Sequence, residues 1–232
     1  MSRTKHFLSV LTLLIVCTFF CTTPLRAGGM SNVYSCKKND LMQIALTFDD
    51  GPHPRYTPQI LDVLERYGIR ATFFIVGQNA SAYPELILRE QQGQHEIANH
   101  TYSHLKLKNK GEADLLEELS KTDALIERIT GTRPRLFRPP EGVCNQTIAQ
   151  CSYSFGYKLI LWNIDTKDWA HSTVDSIVST VKKNVKSGDI LLFHDYIAHN
   201  SPTPQALEII IPYLLGEGFQ FVTVSELLCD TE

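Results

Sequence analysis

Strand-type and helix-type segments alternate about seven times between Gln43 and Val222 with short connections, which confines the chain to parallel βα architectures. Gln43–Phe48, Ala71–Val76, His95–Ala98, Leu136–Phe137, Tyr157–Trp162, Asp189–Phe193 and Phe219–Val222 carry the apolar and β-branched character of strands. Between them, Thr57–Leu64, Pro84–Gln92, Glu112–Ile129, Ser172–Val185 and Pro204–Leu215 have helical spacing. Thr57 suits an N-cap with Pro58 in the first turn, and Gly68 closes the same helix. No linker rich in Pro, Gly or Ser interrupts the alternation, so an α/β fold in a single domain is expected. A closed or nearly closed barrel fits best, and an open doubly wound sheet is the second arrangement. No Gly-rich phosphate loop follows the first strand, which argues against nucleotide binding. A net charge of -3 leaves no basic footprint, which argues against nucleic acid.

The ends of the chain read differently. Arg3 and Lys5 precede an apolar run from Phe7 to Cys21, too short and wrongly flanked for a membrane span. With Leu25-Arg26-Ala27 before Gly28, residues 1–27 are expected to be a signal peptide, a retained anchor being the alternative. An N-terminal extension over 28–41, a catalytic domain over 42–229 and a tail over 230–232 follow, in a monomer that is secreted or held in the cell wall or periplasm. Four cysteines remain after such cleavage, Cys36, Cys144, Cys151 and Cys229, an even number that suits disulfides in an oxidising space. The favoured pairing joins Cys36 to Cys229 across the domain ends and Cys144 to Cys151 in a local loop. A cysteine zinc site is the rival, without CxxC spacing to support it. Sequons begin at Asn79, Asn99 and Asn145.

The chemistry-bearing residues cluster where strands end. Leu46-Thr47-Phe48-Asp49-Asp50-Gly51-Pro52 closes the first strand with two adjacent carboxylates. Gly51 and Pro52 stop the strand, one by allowing an unusual turn and the other by lacking a ladder donor. Adjacent carboxylates repel, so a metal on one and an arginine beside the other would make the pair comfortable. Two solvated aspartates in a turn are the plainer alternative. Asn99, His100 and His104 follow the third strand, Arg138 the fourth, Asp165 and Asp168 the fifth, and His194 and Asp195 the sixth. In parallel barrels that rim is where active residues gather. His100 and His104, four positions apart, would share one face of a helical turn and reach one ion. Three nitrogen and oxygen ligands with an open position suit a catalytic divalent metal, zinc first and Co, Ni or Mn tolerated.

Five motifs stand in order: Thr47-Phe48-Asp49-Asp50-Gly51-Pro52, His100-Thr101-Tyr102-Ser103-His104, Arg138-Pro139-Pro140-Glu141-Gly142, Asp165-Thr166-Lys167-Asp168-Trp169 and Leu192-Phe193-His194. Over about Gln43 to Leu228 the chain resembles the polysaccharide deacetylases of carbohydrate esterase family four, the nodulation-type deacetylase domain. The resemblance implies a distorted (β/α)7-8 barrel. It also implies that Asp50, His100 and His104 hold the metal, that Asp49 is the general base and that Arg138 orients it. His194 would be the general acid, tuned by Asp168. The Glu141 backbone N–H would face the oxyanion, and Trp169 and Leu192 would wall a pocket for the acetyl methyl. The implied substrate is an N-acetylglucosamine polymer, with chitin or chitooligosaccharide first, peptidoglycan as the alternative and acetylated xylan more distant. A chitin-binding protein with weak turnover is the reading from another class. Many members carry an aromatic residue where this chain has Glu141.

Overall fold

The computed structural model describes residues 32–38, 40–197 and 200–229. The expected signal peptide and the 230–232 tail lie outside the described residues. The chain first forms β1 (Val33–Tyr34), β2 (Gln43–Asp49), α1 (Tyr56–Tyr67), β3 (Thr72–Ile75), α2 (Gly77–Ala82), α3 (Pro84–Gln92) and β4 (Glu96–Asn99). Next come α4 (Glu112–Thr130), β5 (Leu136–Phe137), α5 (Gln146–Ser154), β6 (Lys158–Ile160) and β7 (Ile164–Asp165). The last elements are α6 (Val174–Asn184), β8 (Ile190–His194), α7 (Thr203–Gly216), β9 (Gln220–Phe221) and α8 (Val224–Leu228).

The strands run in the order β1-β6-β5-β4-β3-β2-β8-β7, all parallel, with β9 also on β2. The sheet curls into a distorted (β/α) barrel within one domain. Among the described residues, its two end strands β1 and β7 do not pair, so a seam remains. β1 lies inside the segment read from sequence as an extension.

β2 explains how the site is aimed. Its side chains alternate between two apolar environments, as strand geometry requires. Ile44, Leu46 and Phe48 pack outward with Ile60 and Leu64 of α1 and Leu207 and Ile211 of α7. Ala45 faces the barrel interior with Phe74, Ala98, Leu136 and Ile160, and Leu227 and Leu228 of α8 close that interior below. Thr47 and Asp49 share Ala45's face and so point inward above it. Register then sets the rim. Asp49 lies level with His194 on one side and Phe74 on the other, and Asn99 lies level with Phe137.

The strand expected over Tyr157–Trp162 is shortened to β6, and β7 follows beyond its expected end. The carbonyls of Ile160 and Leu161 accept from the Arg138 guanidinium, at 3.2 and 3.1 Å, and so serve a side chain. One sequence expectation is corrected. Among the described residues Cys36, Cys144, Cys151 and Cys229 are free thiols, and neither expected disulfide is formed. Cys151 faces the core from α5, where burial, with the Glu112 charge adding to it, pushes the thiol up to about 11 and keeps it protonated. Cys229, by contrast, is exposed beyond α8. The Asn99 of one sequon is inaccessible in the fold. Its side chain is fully buried and donates to the Leu119 carbonyl and to Asp123.

Candidate active site

Arg138, directly after β5, is the centre of the rim. It is fully buried, stacked 4.0 Å over the Phe74 ring and 5.5 Å from the Trp162 ring. Its Nη1 donates to Asp49 Oδ1 at 2.6 Å and to Thr47 Oγ1 at 2.9 Å. Burial pulls the guanidinium below its usual value and the Asp49 carboxylate opposes this. The Arg138 carbonyl meanwhile accepts from His100 Nδ1 at 2.7 Å. One residue therefore orients both a carboxylate and an imidazole.

That second contact fixes the tautomer of His100, since Nδ1 must carry the hydrogen it gives to a carbonyl. The Nε2 of a neutral ring then presents a lone pair. It faces Asp50 Oδ1 at 3.3 Å, and His104 Nε2 faces the same oxygen at 3.2 Å. Asp50 Oδ1 is buried without a hydrogen-bond partner. Acceptors converging on one point need a cation between them. Protonated imidazoles would supply one charge, and a divalent metal would supply another. Although burial raises the Asp50 carboxyl, the two imidazoles hold it well below the ordinary range. The Asp50 carboxylate facing it lifts His104 above its usual value, against burial. The ligand atoms of Asp50, His100 and His104 lie within 4.8 Å of one another, a set of two nitrogens and one oxygen that fits a divalent cation.

The histidine pair does not arise from a helical turn as its spacing suggested. Residues 100–105 form an irregular loop in which Thr101 and His104 take φ of 68° and 54°. Those left-handed residues turn both rings to Asp50. Asp50 itself has φ 76°, so the unusual backbone expected of Gly51 falls on the metal-facing carboxylate instead. Gly51 is needed for space, because a β-carbon there would overlap both carboxylate oxygens of Asp195. Asn79 of α2, an element without an apolar period in sequence, holds the turn by donating 2.7 Å to the Asp50 carbonyl.

His194 ends β8 opposite Asp49. Its Nδ1 donates to Asp168 Oδ1 at 2.8 Å, and its backbone N–H donates to Asp168 Oδ2 at 2.7 Å. Thr203 Oγ1 of α7 completes the grip on Asp168 Oδ2 at 2.7 Å. Burial lowers the His194 pKa, but the Asp168 hydrogen bond and charge, with Asp49 and Asp50 behind them, carry it up to about 9. The Nε2 is thus a donor at neutral pH. Asp49 Oδ2 lies 3.8 Å from His100 Nε2, on the side away from its arginine contact.

The remaining predicted residues sit round this centre. Glu141 has φ 57° in the short turn after Arg138, and its exposed side chain pairs with Lys106 at 3.7 Å. Leu192 is buried on β8, and Trp169 is exposed in the turn that starts at Asp168. Asp165 accepts from the Lys167 N–H at 2.8 Å and shapes that loop. Sequence reasoning missed Thr47 and Thr203, hydroxyls whose only signal was adjacency to a motif or a helix start. Asp195 was placed on the rim without a role. It is buried, and burial, reinforced by the Asp50 and Asp49 charges and opposed by a Thr57 hydrogen bond, raises it to about 7.

A parallel barrel whose rim joins an arginine-held carboxylate, an Asp-His-His cation site and a protonated histidine defines a metal-dependent hydrolase. Residues 37–160 match the family described as polysaccharide deacetylase. A peptidoglycan-N-acetylglucosamine deacetylase of Bacillus cereus is 44% identical over 80% of this chain and 87% of its own length. A chitooligosaccharide deacetylase of a Bradyrhizobium species is 35% identical over 79% of this chain and 90% of its own. Among solved structures, a peptidoglycan N-acetylglucosamine deacetylase in complex with a benzamide aligns with a TM-score of 0.82 at 32% identity, covering 84% of this chain and 92% of that one. This chain belongs to the polysaccharide deacetylases of carbohydrate esterase family four, hydrolases that remove N-acetyl groups with a divalent metal.

Proposed function

We propose that this protein is a secreted deacetylase of N-acetylglucosamine residues in peptidoglycan. The observation that carries the deacetylase chemistry is the level register of Asp49 and His194 beside the Asp50, His100 and His104 set. Support for peptidoglycan over chitin comes from the Bacillus cereus relative, which is more similar and nearly fully covered. The disulfide pattern that favoured chitin is also not formed. Chitooligosaccharide is the second reading, supported by the Bradyrhizobium relative.

In this scheme Asp50, His100 and His104 hold a divalent cation, zinc first by their donor atoms. Bound there, the cation lowers the pKa of a water and polarises the acetamide carbonyl. Asp49 Oδ2 takes a proton from the attacking water, while Arg138 keeps Asp49 aligned. The water oxygen bonds to the carbonyl carbon, and the Glu141 N–H faces the oxygen that gains charge. As the C–N bond breaks, His194 Nε2 gives its proton to the leaving nitrogen, releasing acetate and a free amine. Trp169 and Leu192 bound the space for the methyl group.

His194 must be protonated to act, so activity falls as pH rises through its pKa of about 9. Replacing Asp168 by Asn removes the charge that helps to overcome burial and leaves only a weaker, neutral acceptor for the His194 Nδ1 hydrogen. The alkaline limb of kcat is then expected to move down by about two pH units, towards the ordinary histidine value of about 6.5. An unmoved limb in a pH profile of D168N would remove His194 from the acid role.

Acetate release from peptidoglycan and from chitopentaose, with zinc and with a chelator, tests the substrate. Metal-dependent release from peptidoglycan at the higher kcat/KM is expected. Release from chitopentaose alone would transfer the assignment to chitooligosaccharide, and release from neither with metal bound would sink the enzymatic reading.

A further inference from the structure

Asp195 is the least comfortable acidic group on the rim. It follows His194 at the end of β8, is 1% exposed, and has one oxygen, Oδ1, without a hydrogen-bond partner among the described residues. A buried carboxylate with an unsatisfied oxygen is costly. Its contacts point to one place. Asp195 Oδ2 accepts from Thr57 Oγ1 at 2.5 Å, and Thr57 Oγ1 accepts from the His53 N–H at 2.7 Å. The Asp195 N–H donates to the Asp49 carbonyl at 3.2 Å. Its carboxylate fills the space where any side chain at position 51 would stand. Asp195 therefore touches the residues on either side of Asp50 directly, and reaches His53 through Thr57.

Asp50 needs such a brace. A non-glycine residue with φ of 76° is strained and persists only where its surroundings hold it. Asn79 holds the Asp50 carbonyl from above, and the Val76 N–H holds the Gly51 carbonyl at 3.0 Å. Asp195 supports the same turn at Gly51, through its carboxylate, and at Asp49, through its N–H.

We propose that Asp195 is a positioning residue for the metal site, a wedge fixed by Thr57 that presses the Gly51 backbone and so holds Asp50 in its left-handed conformation aimed at His100 and His104. It touches neither metal nor substrate. The inference rests on the metal set assigned above.

The test is titration of the metal-free protein with zinc by calorimetry and with cobalt by its visible spectrum, with melting curves of the same samples. Asp195→Ala removes the wedge and is expected to weaken metal binding about 10- to 100-fold, the usual effect of losing a residue that orients a ligand. Asp195→Asn keeps the shape and an acceptor for Thr57, and is expected to restore affinity to within a few-fold. Thr57→Val, which keeps the volume of α1 but frees the wedge, is expected to weaken binding several-fold and to alter the cobalt spectrum. It also serves if Asp195→Ala does not fold. Unchanged affinity in Asp195→Ala or Thr57→Val overturns the proposal. Equal losses in Asp195→Asn and Asp195→Ala also overturn it, because charge rather than position would then be the cause. His104→Ala is run beside them. If it binds metal as the parent does, the metal set is wrong, whereas failure of the Asp195 series alone leaves that set standing.

Discussion

Asp49→Asn is expected to lower kcat by about 10²- to 10⁴-fold, the range of a lost general base, while zinc affinity stays within a few-fold. The asparagine carbonyl oxygen can still accept from Arg138 at the 2.6 Å position, so the strand end and its arginine remain in place. What disappears is the basicity of Oδ2, the oxygen turned towards His100. His104→Ala gives the converse pattern. One of the three side chains proposed to hold the cation is gone, and metal binding is expected to fail before chemistry is reached. Metal titration and acetate release on the same two preparations separate the outcomes. Near-normal turnover by metal-loaded Asp49→Asn would falsify the base assignment.

The second large effect is on stability. Arg138→Leu is expected to cost about 3–5 kcal/mol in urea denaturation, because it leaves a buried carboxylate without its counter-charge. The loss reaches further than one ion pair. Thr47 Oγ1 and the Ile160 and Leu161 carbonyls lose donors at the same time. Arg138→Lys is not a mild substitute, since a single ammonium cannot span four acceptors in a plane or stack on Phe74. Combining Arg138→Leu with Asp49→Asn should recover part of the loss, because the second change removes the uncompensated charge. A double variant as unstable as the sum of the two singles would show that the carbonyl contacts dominate.

The barrel and its rim were legible in the sequence because they depend on periodicities. Gln43–Phe48 carried the alternation that sends Asp49 inward, and the motif residues followed the strand ends. The level at which they meet is a register, visible only in the pairing of Asp49 with His194. The loop geometry was not legible. Four residues between two histidines suggested a helical turn, yet two left-handed residues do the work. Gly51 looked like a conformational requirement and is a steric one, set by a carboxylate 144 positions away in sequence. α2 was missed because Gly77–Ala82 has too few apolar residues to show a period. Glu90 on α3 is fully buried with both oxygens unpartnered among the described residues, and burial, with the Asp195 charge adding to it, raises its pKa well above the usual range; nothing in its sequence context signals this. The cysteines misled because an even number in a chain expected to be exported is a statement about compartment, not about which thiols meet.

The open seam has a consequence for how such a chain survives at high concentration. A sheet that does not close leaves edges, and an unpaired edge is a template on which another copy can add a strand. Here the two edges are β1 and β7, each only two residues long. So short a ladder gives an incoming strand almost nothing to copy. The seven-residue strand that would be the hazardous template, β2, is walled in by β8 on one side and by β3 and β9 on the other. The molecule gains protection against edge-to-edge aggregation without closing its barrel.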